Sequence, residues 1–226
     1  MKRLTYLANK YGTDKGTTCS FSHGFTEIYN DCFQKIADKC YKEGRKVNIL
    51  EIGVFNAKSL YMYNEFFDGN CEIYGMDIDQ QCLNYDTENI HISICNQGDR
   101  NELSYFLKNI NVKFDIIVDD GSHIPMHQMI SLAALHKTLS KDGIYILEDL
   151  HTNLNRSWYG VDTETKDTAL YYLTFRQPSV FLTEEENNEL EENIKTVSIY
   201  SMQNSNNYEF NNKSITSIIT FNNNEI

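Results

Sequence analysis

The sequence predicts an α/β fold built on a doubly wound, mostly parallel sheet, and three observations predict it. From residue 46 onward, short apolar runs alternate with stretches whose apolar residues recur at helical spacing. The first run ends in a glycine, at Glu51-Ile52-Gly53. Later runs end in acidic residues, where an open α/β sheet presents its ligand site.

The elements follow in order. Residues 1–24 read as polar and irregular, with turn chemistry at Tyr11-Gly12-Thr13-Asp14-Lys15-Gly16. Residues 25–43 read as a helix, because Phe25, Ile28, Tyr29, Cys32, Phe33 and Ile36 recur three and four apart; Gly44 ends it. Residues 47–52 form a buried strand, followed by a helix over 59–67. Strands are expected at 72–78, 91–95, 114–118 and 144–147, with helices at 100–110 and 125–139. The last third reads differently. Residues 162–175 and 184–193 look helical, while 195–201 and 214–221 alternate like strands and suit an antiparallel pair. The sum is a Rossmann-like, seven-stranded sheet with an antiparallel C-terminal hairpin. The expected partition is a single domain over 1–226, with 1–45 as an N-terminal helical cap and 46–226 as the core.

Composition narrows the function classes. The 226 residues suffice for one such domain and are short for two. There are 32 acidic and 20 basic side chains, for a net charge of −12. With no large Lys/Arg cluster, this argues against a nucleic-acid partner. No apolar run approaches the ~18–20 residues of a membrane span, and the first residues lack an apolar signal core. A cytoplasmic location is expected. The six cysteines contain no CxxC pair and read as reduced thiols. The sequence is compatible with a homo-oligomer.

Gly53 lets a ligand approach the backbone at the end of the first strand, although a simple strand-to-helix turn would also use it. The second strand ends in Asp77, an acid placed to accept hydrogen bonds from ribose hydroxyls. The dinucleotide fingerprint GxGxxG is absent, since the loop reads Gly53-Val54-Phe55-Asn56-Ala57. A pyrophosphate needs that glycine-lined loop, and a sulfonium nucleoside does not, so the pattern favours S-adenosylmethionine over NAD. Asn96-Gln97-Gly98-Asp99 reads either as an adenine-facing set or as a polar loop.

Carboxylates cluster further on. Asp119-Asp120-Gly121-Ser122-His123 ends one strand and Glu148-Asp149-Leu150-His151-Thr152 the next. On adjacent strands ~4.8 Å apart, Asp120, Glu148 and Asp149 converge. Unless they separately cap helices or bind water, they need a hard divalent cation, with Mg²⁺ the usual choice. Beside such an ion His123 suits a general base. His127 and His136 fall in a helix and read as structural, while His23 and His151 stay ambiguous.

The segments TDKG (13–16), LEIGVFNAKSL (50–60), YGMDID (74–79), NQGD (96–99), FDIIVDDGSH (114–123) and GIYILEDLHT (143–152) resemble the class I methyltransferases of the macrocin and mycinamicin sugar O-methyltransferase type. The resemblance runs from about residue 10 to 160. It implies a seven-stranded sheet, Mg²⁺, and methyl transfer from S-adenosylmethionine to a sugar hydroxyl. By that resemblance Glu51, Gly53 and Asp77 line the methionine and ribose parts of the cofactor, and Gln97 and Asp99 flank adenine. Thr13, Lys15, Ser59 and Asp119 join the cofactor side, with the 13–16 segment expected to close over it. Asp120, Glu148 and Asp149 hold the metal, with Asp120 also in the catalytic set beside His123. His151, Arg156, Trp158 and Tyr159 shape the acceptor pocket, although Trp158, the single tryptophan, suits the core equally. The chain departs from many relatives at Ala57-Lys58, where they carry Gly-Gly. Two rivals remain: a metal-dependent oxygenase of the kind labelled cephalosporin hydroxylase, and a non-catalytic cofactor-binding protein. An oxygenase wants two histidines and one carboxylate, whereas the ligands expected here are all carboxylates.

Overall fold

Seven strands form one sheet in the order β3-β2-β1-β4-β5-β7-β6. The computed structural model describes residues 1–19, 21–154, 164–203 and 213–222. The strands are β1 (Val47–Ile52), β2 (Cys71–Asp77), β3 (Ile90–Ile94), β4 (Phe114–Asp119), β5 (Leu139–Leu147), β6 (Ile194–Gln203) and β7 (Lys213–Phe221). The pairs from β3 through β5 are parallel, while β7 runs antiparallel to both β5 and β6. The doubly wound sheet and its C-terminal hairpin are as the sequence predicts. The chain winds outward from β1 to β3, then returns to lay β4 on the other side of β1. The resulting crevice between β1 and β4 is the switch point at which such sheets bind ligands.

Strand periodicity assigns the two faces. Successive side chains point to opposite sides of a sheet. Ile49, Ile116, Val118, Ile144 and Ile146 therefore join one buried cluster, and Leu50, Ile117, Tyr145 and Leu147 the other. The first face is covered by α1 (Arg3–Tyr11), α2 (Thr26–Lys42) and α3 (Lys58–Phe66), through Leu4, Leu7, Phe33, Leu60 and Tyr63. The second is covered by α4 (Arg100–Asn109), α5 (Pro125–Leu135), α6 (Ala169–Phe175) and α7 (Glu184–Asn193), through Leu103, Phe106, Met129, Leu132, Leu173 and Leu190.

Three expectations need correction. The stretch 1–24 is not irregular throughout, because residues 3–11 form α1. Leu4, Leu7 and Ala8 bury one face of that helix, and Gly12 closes it in the left-handed conformation at φ 69°. The helix expected over 125–139 stops at Leu135. A 3₁₀ turn follows, and β5 begins at Leu139 rather than 144. The helix expected over 162–175 begins only at Ala169, where the Thr168 side chain accepts from Tyr171 N and sets the start. Residues 162 and 163 lie outside the described residues. No helix among the described residues is long and apolar enough to cross a membrane.

The N-terminal cap is tied to the far end of the sheet by one buried acid. Asp115, near the start of β4, accepts from Arg45 Nη1 and Nη2 (2.7 and 2.8 Å), Asn48 N (3.0 Å) and Ser140 Oγ (2.6 Å). Burial raises its pKa, but these donors outweigh it and hold the carboxyl below the usual range. Its contribution to stability is then complete above the unfolded value of about 3.9 and is lost as pH falls through the folded value. Asp115→Asn should cost about 2 kcal/mol of unfolding free energy at neutral pH. In urea titrations the gap between wild type and variant should narrow as pH is lowered below 4. Equal midpoints at pH 7 would contradict the role given to this acid.

Candidate active site

The C-terminal ends of β1, β2, β4 and β5 open into a cleft of about 560 Å³, a size that suits a small organic ligand. Gly53 follows β1 at φ 89°, and a side chain there would collide with the Asp120 carbonyl. That glycine lets the loops after β1 and β4 close on one another. Asp77 ends β2. Its Oδ2 accepts from Val54 N (2.8 Å) and Phe55 N (3.0 Å), and its Oδ1 from Asp79 N (2.9 Å). Burial raises Asp77, yet these amides outweigh it and keep the carboxyl below its ordinary range. Phe55 and Ile78 stand 82% and 70% exposed on the cleft wall, two apolar surfaces beside a fixed carboxylate. Such a wall suits a nucleoside, with an apolar body and polar hydroxyls.

Gln97 lines the same cleft. Its Nε2 donates to Asp119 Oδ1 (3.0 Å), and its Oε1 accepts from Ser122 N (2.7 Å). Asp119 itself is buried beneath, where Ser131 Oγ (2.6 Å) and Tyr145 OH (3.1 Å) also donate to it. It therefore orients Gln97 rather than lining the cleft. Asp99 caps α4 through Asn101 N (2.8 Å) and Glu102 N (3.2 Å), while Asn96 and Gln97 of the same loop line the cleft. Ala57 sits in the left-handed region at φ 57°, where a glycine would relieve strain, and Lys58 is exposed with Nζ 3.3 Å from Gly12 O.

Behind Gly53 lies a buried ionic cluster. Lys15, 1% exposed, donates through Nζ to Asp120 Oδ2 and to Glu148 Oε2 (2.8 Å), and lies 3.6 Å from Glu51 Oε1. Its loop is held by Thr26, whose N and Oγ1 donate to Lys15 O at 3.1 and 2.9 Å, and Thr13 Oγ1 accepts from Lys15 N (3.3 Å). Glu51 is fully buried and receives Ser59 Oγ and Tyr63 OH. Thr13, Lys15, Glu51 and Ser59 thus form the floor behind the cleft and not its lining. Burial pushes the Glu51 carboxyl up to about 7 and Asp120 to about 6, with Lys15 opposing both. Burial also disfavours the Lys15 ammonium, but Asp120, Glu148 and Glu51 outweigh it and hold the charge.

On the open side, Asp120, His123 and Asp149 bring donor atoms within 4.8 Å of one another. His123 Nε2 lies 3.5 Å from Asp149 Oδ2. Both residues sit in the left-handed region, at φ 57° and 53°, a strain of the kind that gathers at functional sites. Glu148 Oε1, Asp149 Oδ1 and His123 Nδ1 are buried without hydrogen-bond partners. Buried oxygens left unpaired beside one another are costly, and a hard cation satisfies them. His151 is buried against Asp149, its imidazole lowered to about 4 by burial despite that carboxylate. Arg156, Trp158 and Tyr159 lie outside the described residues.

The sequence reading missed several neighbours. Asp14 and Phe55 line the cleft, as does His127, whose Nδ1 lies 3.0 Å from Ser122 Oγ. His127 was legible as a histidine one helical turn beyond His123, on the face that meets the loop. No local signal marked Lys15 as the partner of carboxylates 105 and 133 residues away. Replacing Lys15 by Met should destabilise the protein by about 3 kcal/mol, because it strands buried carboxylates. An unchanged denaturation midpoint would show that the ammonium is dispensable.

No family model matches the chain. Among characterised proteins it is similar to mycinamicin VI 2''-O-methyltransferase of Micromonospora griseorubida, with 35% identity over 159 residues, 66% of this chain and 36% of that protein. It is also similar to demethylmacrocin O-methyltransferase of Streptomyces fradiae, with 31% identity over 66% of this chain and 36% of that one. Among solved structures, the MycE methyltransferase of the mycinamycin pathway, determined in complex with Mg, SAH and mycinamycin VI, superposes with a TM-score of 0.74 and 25% identity. That superposition covers 99% of this chain and 55% of MycE. The chain thus spans about half or less of the length of these relatives. Its homologues are sugar O-methyltransferases of the macrocin and mycinamicin type, and its fold is that of the class I methyltransferases.

Proposed function

We propose that the chain transfers a methyl group from S-adenosylmethionine to a hydroxyl of a sugar or sugar-containing acceptor, with a divalent cation, Mg²⁺ or a similar hard ion, at the reacting end. The observation that carries this reading is the meeting of a nucleoside-sized cleft with the Asp120–His123–Asp149 cluster at one switch point. The relatives named above are O-methyltransferases of glycosylated compounds, and MycE was solved with Mg and SAH, which supports the same assignment here.

Asp77 would take the ribose hydroxyls, Gln97 an adenine edge, and Phe55 and Ile78 the apolar faces. Asp120, Glu148 and Asp149 would hold the cation, which fits the unpaired Glu148 Oε1 and Asp149 Oδ1. Once bound, the cofactor supplies an electrophilic methyl and the cation lowers the pKa of the acceptor hydroxyl. His123 then takes up the hydroxyl proton at Nε2, and Asp149 Oδ2, 3.5 Å away, stabilises the imidazolium. Lys15 fixes one oxygen each of Asp120 and Glu148, so those carboxylates need little reorganisation. His151, with Arg156, Trp158 and Tyr159, is assigned to the acceptor side.

His123→Ala should lower kcat on an accepted sugar by about 10²–10⁴-fold, while calorimetry with S-adenosylmethionine shows unchanged affinity. Retained turnover removes the base assignment. Thorough chelation with EDTA should stop product formation and added Mg²⁺ restore it, as read by mass spectrometry on a panel of nucleotide-linked and glycosylated acceptors. Full activity after chelation removes the cation from the account.

A further inference from the structure

Gln97 alone cannot read both polar groups on an edge of adenine. Its Nε2 donates to Asp119 Oδ1 (3.0 Å) and to Ser131 Oγ (3.2 Å), so both amide hydrogens are committed beneath the cleft. Its Oε1 takes Ser122 N at 2.7 Å and keeps one lone pair. Gln97 can therefore accept from the amino group of the base, but it has no hydrogen left for a ring nitrogen. That donor has to come from elsewhere on the cleft wall.

His127, in the first turn of α5, lines the same cleft. Its ring lies against Gly98, where an added Cβ would collide with the imidazole. The glycine thus seats the ring beside Gln97. His127 Nδ1 lies 3.0 Å from Ser122 Oγ. The same oxygen accepts from Ile124 N (3.3 Å), which leaves the serine hydrogen to point at Nδ1. Nδ1 then accepts, and the neutral ring carries its proton on Nε2. Burial lowers the pKa of this imidazole, with Asp119 opposing, so the ring stays neutral at pH 7. Nε2 has no hydrogen-bond partner among the described residues. One residue, Ser122, therefore orients both groups, Gln97 through its backbone N–H and His127 through its hydroxyl.

We propose that His127 is a specificity residue for the nucleobase: Nε2–H donates to the ring nitrogen, N1 or N7, that flanks the adenine amino group, while Gln97 Oε1 accepts from that amino group. Adenine presents this donor–acceptor pair on one edge. A 6-oxo purine sets a carbonyl oxygen against Gln97 Oε1 and is rejected. The inference rests on the cofactor assignment proposed above and adds to it the group that tells adenine from other bases.

The test is calorimetry on the full chain with S-adenosylhomocysteine, its analogues with N1 or N7 replaced by C–H, and S-inosylhomocysteine. Wild type should bind S-adenosylhomocysteine ~10-fold more tightly than one of the two C–H analogues, the scale of one neutral hydrogen bond. It should bind S-inosylhomocysteine ~10–100-fold more weakly, as expected for a mismatched bidentate edge. His127→Phe, which keeps a ring but no donor, should weaken S-adenosylhomocysteine by ~10-fold and bind the sensitive C–H analogue equally well. A role in packing alone would weaken every ligand by one factor and leave the analogue ratio unchanged. Gly98→Ala should displace the imidazole and erase the same ratio. ¹⁵N NMR of the wild-type imidazole should show the Nε2–H tautomer, a readout that needs no variant. Equal wild-type affinity for S-adenosylhomocysteine and both C–H analogues, an Nδ1–H tautomer, or an unchanged ratio in folded His127→Phe would overturn the inference and leave the cofactor assignment standing. Failure of wild type to bind S-adenosylhomocysteine at all would instead remove the cofactor assignment, and this inference with it.

Discussion

A single buried ammonium organises the site. Lys15 lies between Asp120, Glu148 and Glu51, while Asp149 stands on the open side with histidines around it. Three carboxylates thus surround one fixed positive charge in a low-dielectric interior, with the fourth, Asp149, beside them. Lys15 satisfies one oxygen of Asp120 and one of Glu148, and it leaves Glu148 Oε1 and Asp149 Oδ1 unpaired. Such an arrangement is costly in isolation. A divalent ion at the two unpaired oxygens would offset that cost, in keeping with the function proposed above.

The fold delivers these groups by elementary means. Parallel strands place their carboxyl ends at one edge, and the reversal of winding between β1 and β4 opens that edge. Gly53 removes the side chain that would keep the β1 and β4 loops apart. Asp119, beneath the surface, holds Gln97 in place, and Asp115 secures the opposite end of the same strand through Arg45. One strand therefore carries a brace at its start and a cluster at its end. The N-terminal cap contributes the ammonium, so the cap belongs to the site and does more than cover the core.

Much of this was legible in the sequence, for identifiable reasons. The strands were readable because buried parallel strands are apolar runs bounded by polar loops, and Asp77, Asp120 and Asp149 were readable because acids seldom end such runs without a task. α1 escaped notice because its apolar stripe, Leu4-Leu7-Ala8, spans barely one turn in an otherwise polar stretch. Asp99 has the local setting of a ligand-binding acid, but it also precedes a helix, which it caps. Glu51 is the penultimate residue of β1, on the face that turns inward, a distinction of one residue in pleat. The pairing of Lys15 and His23 with residues over 100 positions away depends on tertiary packing, which no local pattern encodes. The approach of His23 and His151 to Asp149, two histidines that stay ambiguous in the sequence, escapes local patterns for the same reason.

Completion of the carboxylate cluster by a divalent ion is read most directly from the thermal stability of the protein as a function of Mg²⁺ concentration. A ligand that binds only the folded state stabilises it by RT ln(1 + [L]/Kd). The melting temperature of the metal-free protein should therefore rise steadily with the logarithm of Mg²⁺ concentration above Kd, and Asp120→Asn should flatten that rise. A melting temperature independent of Mg²⁺, in a protein verified to be metal-free, would contradict the account.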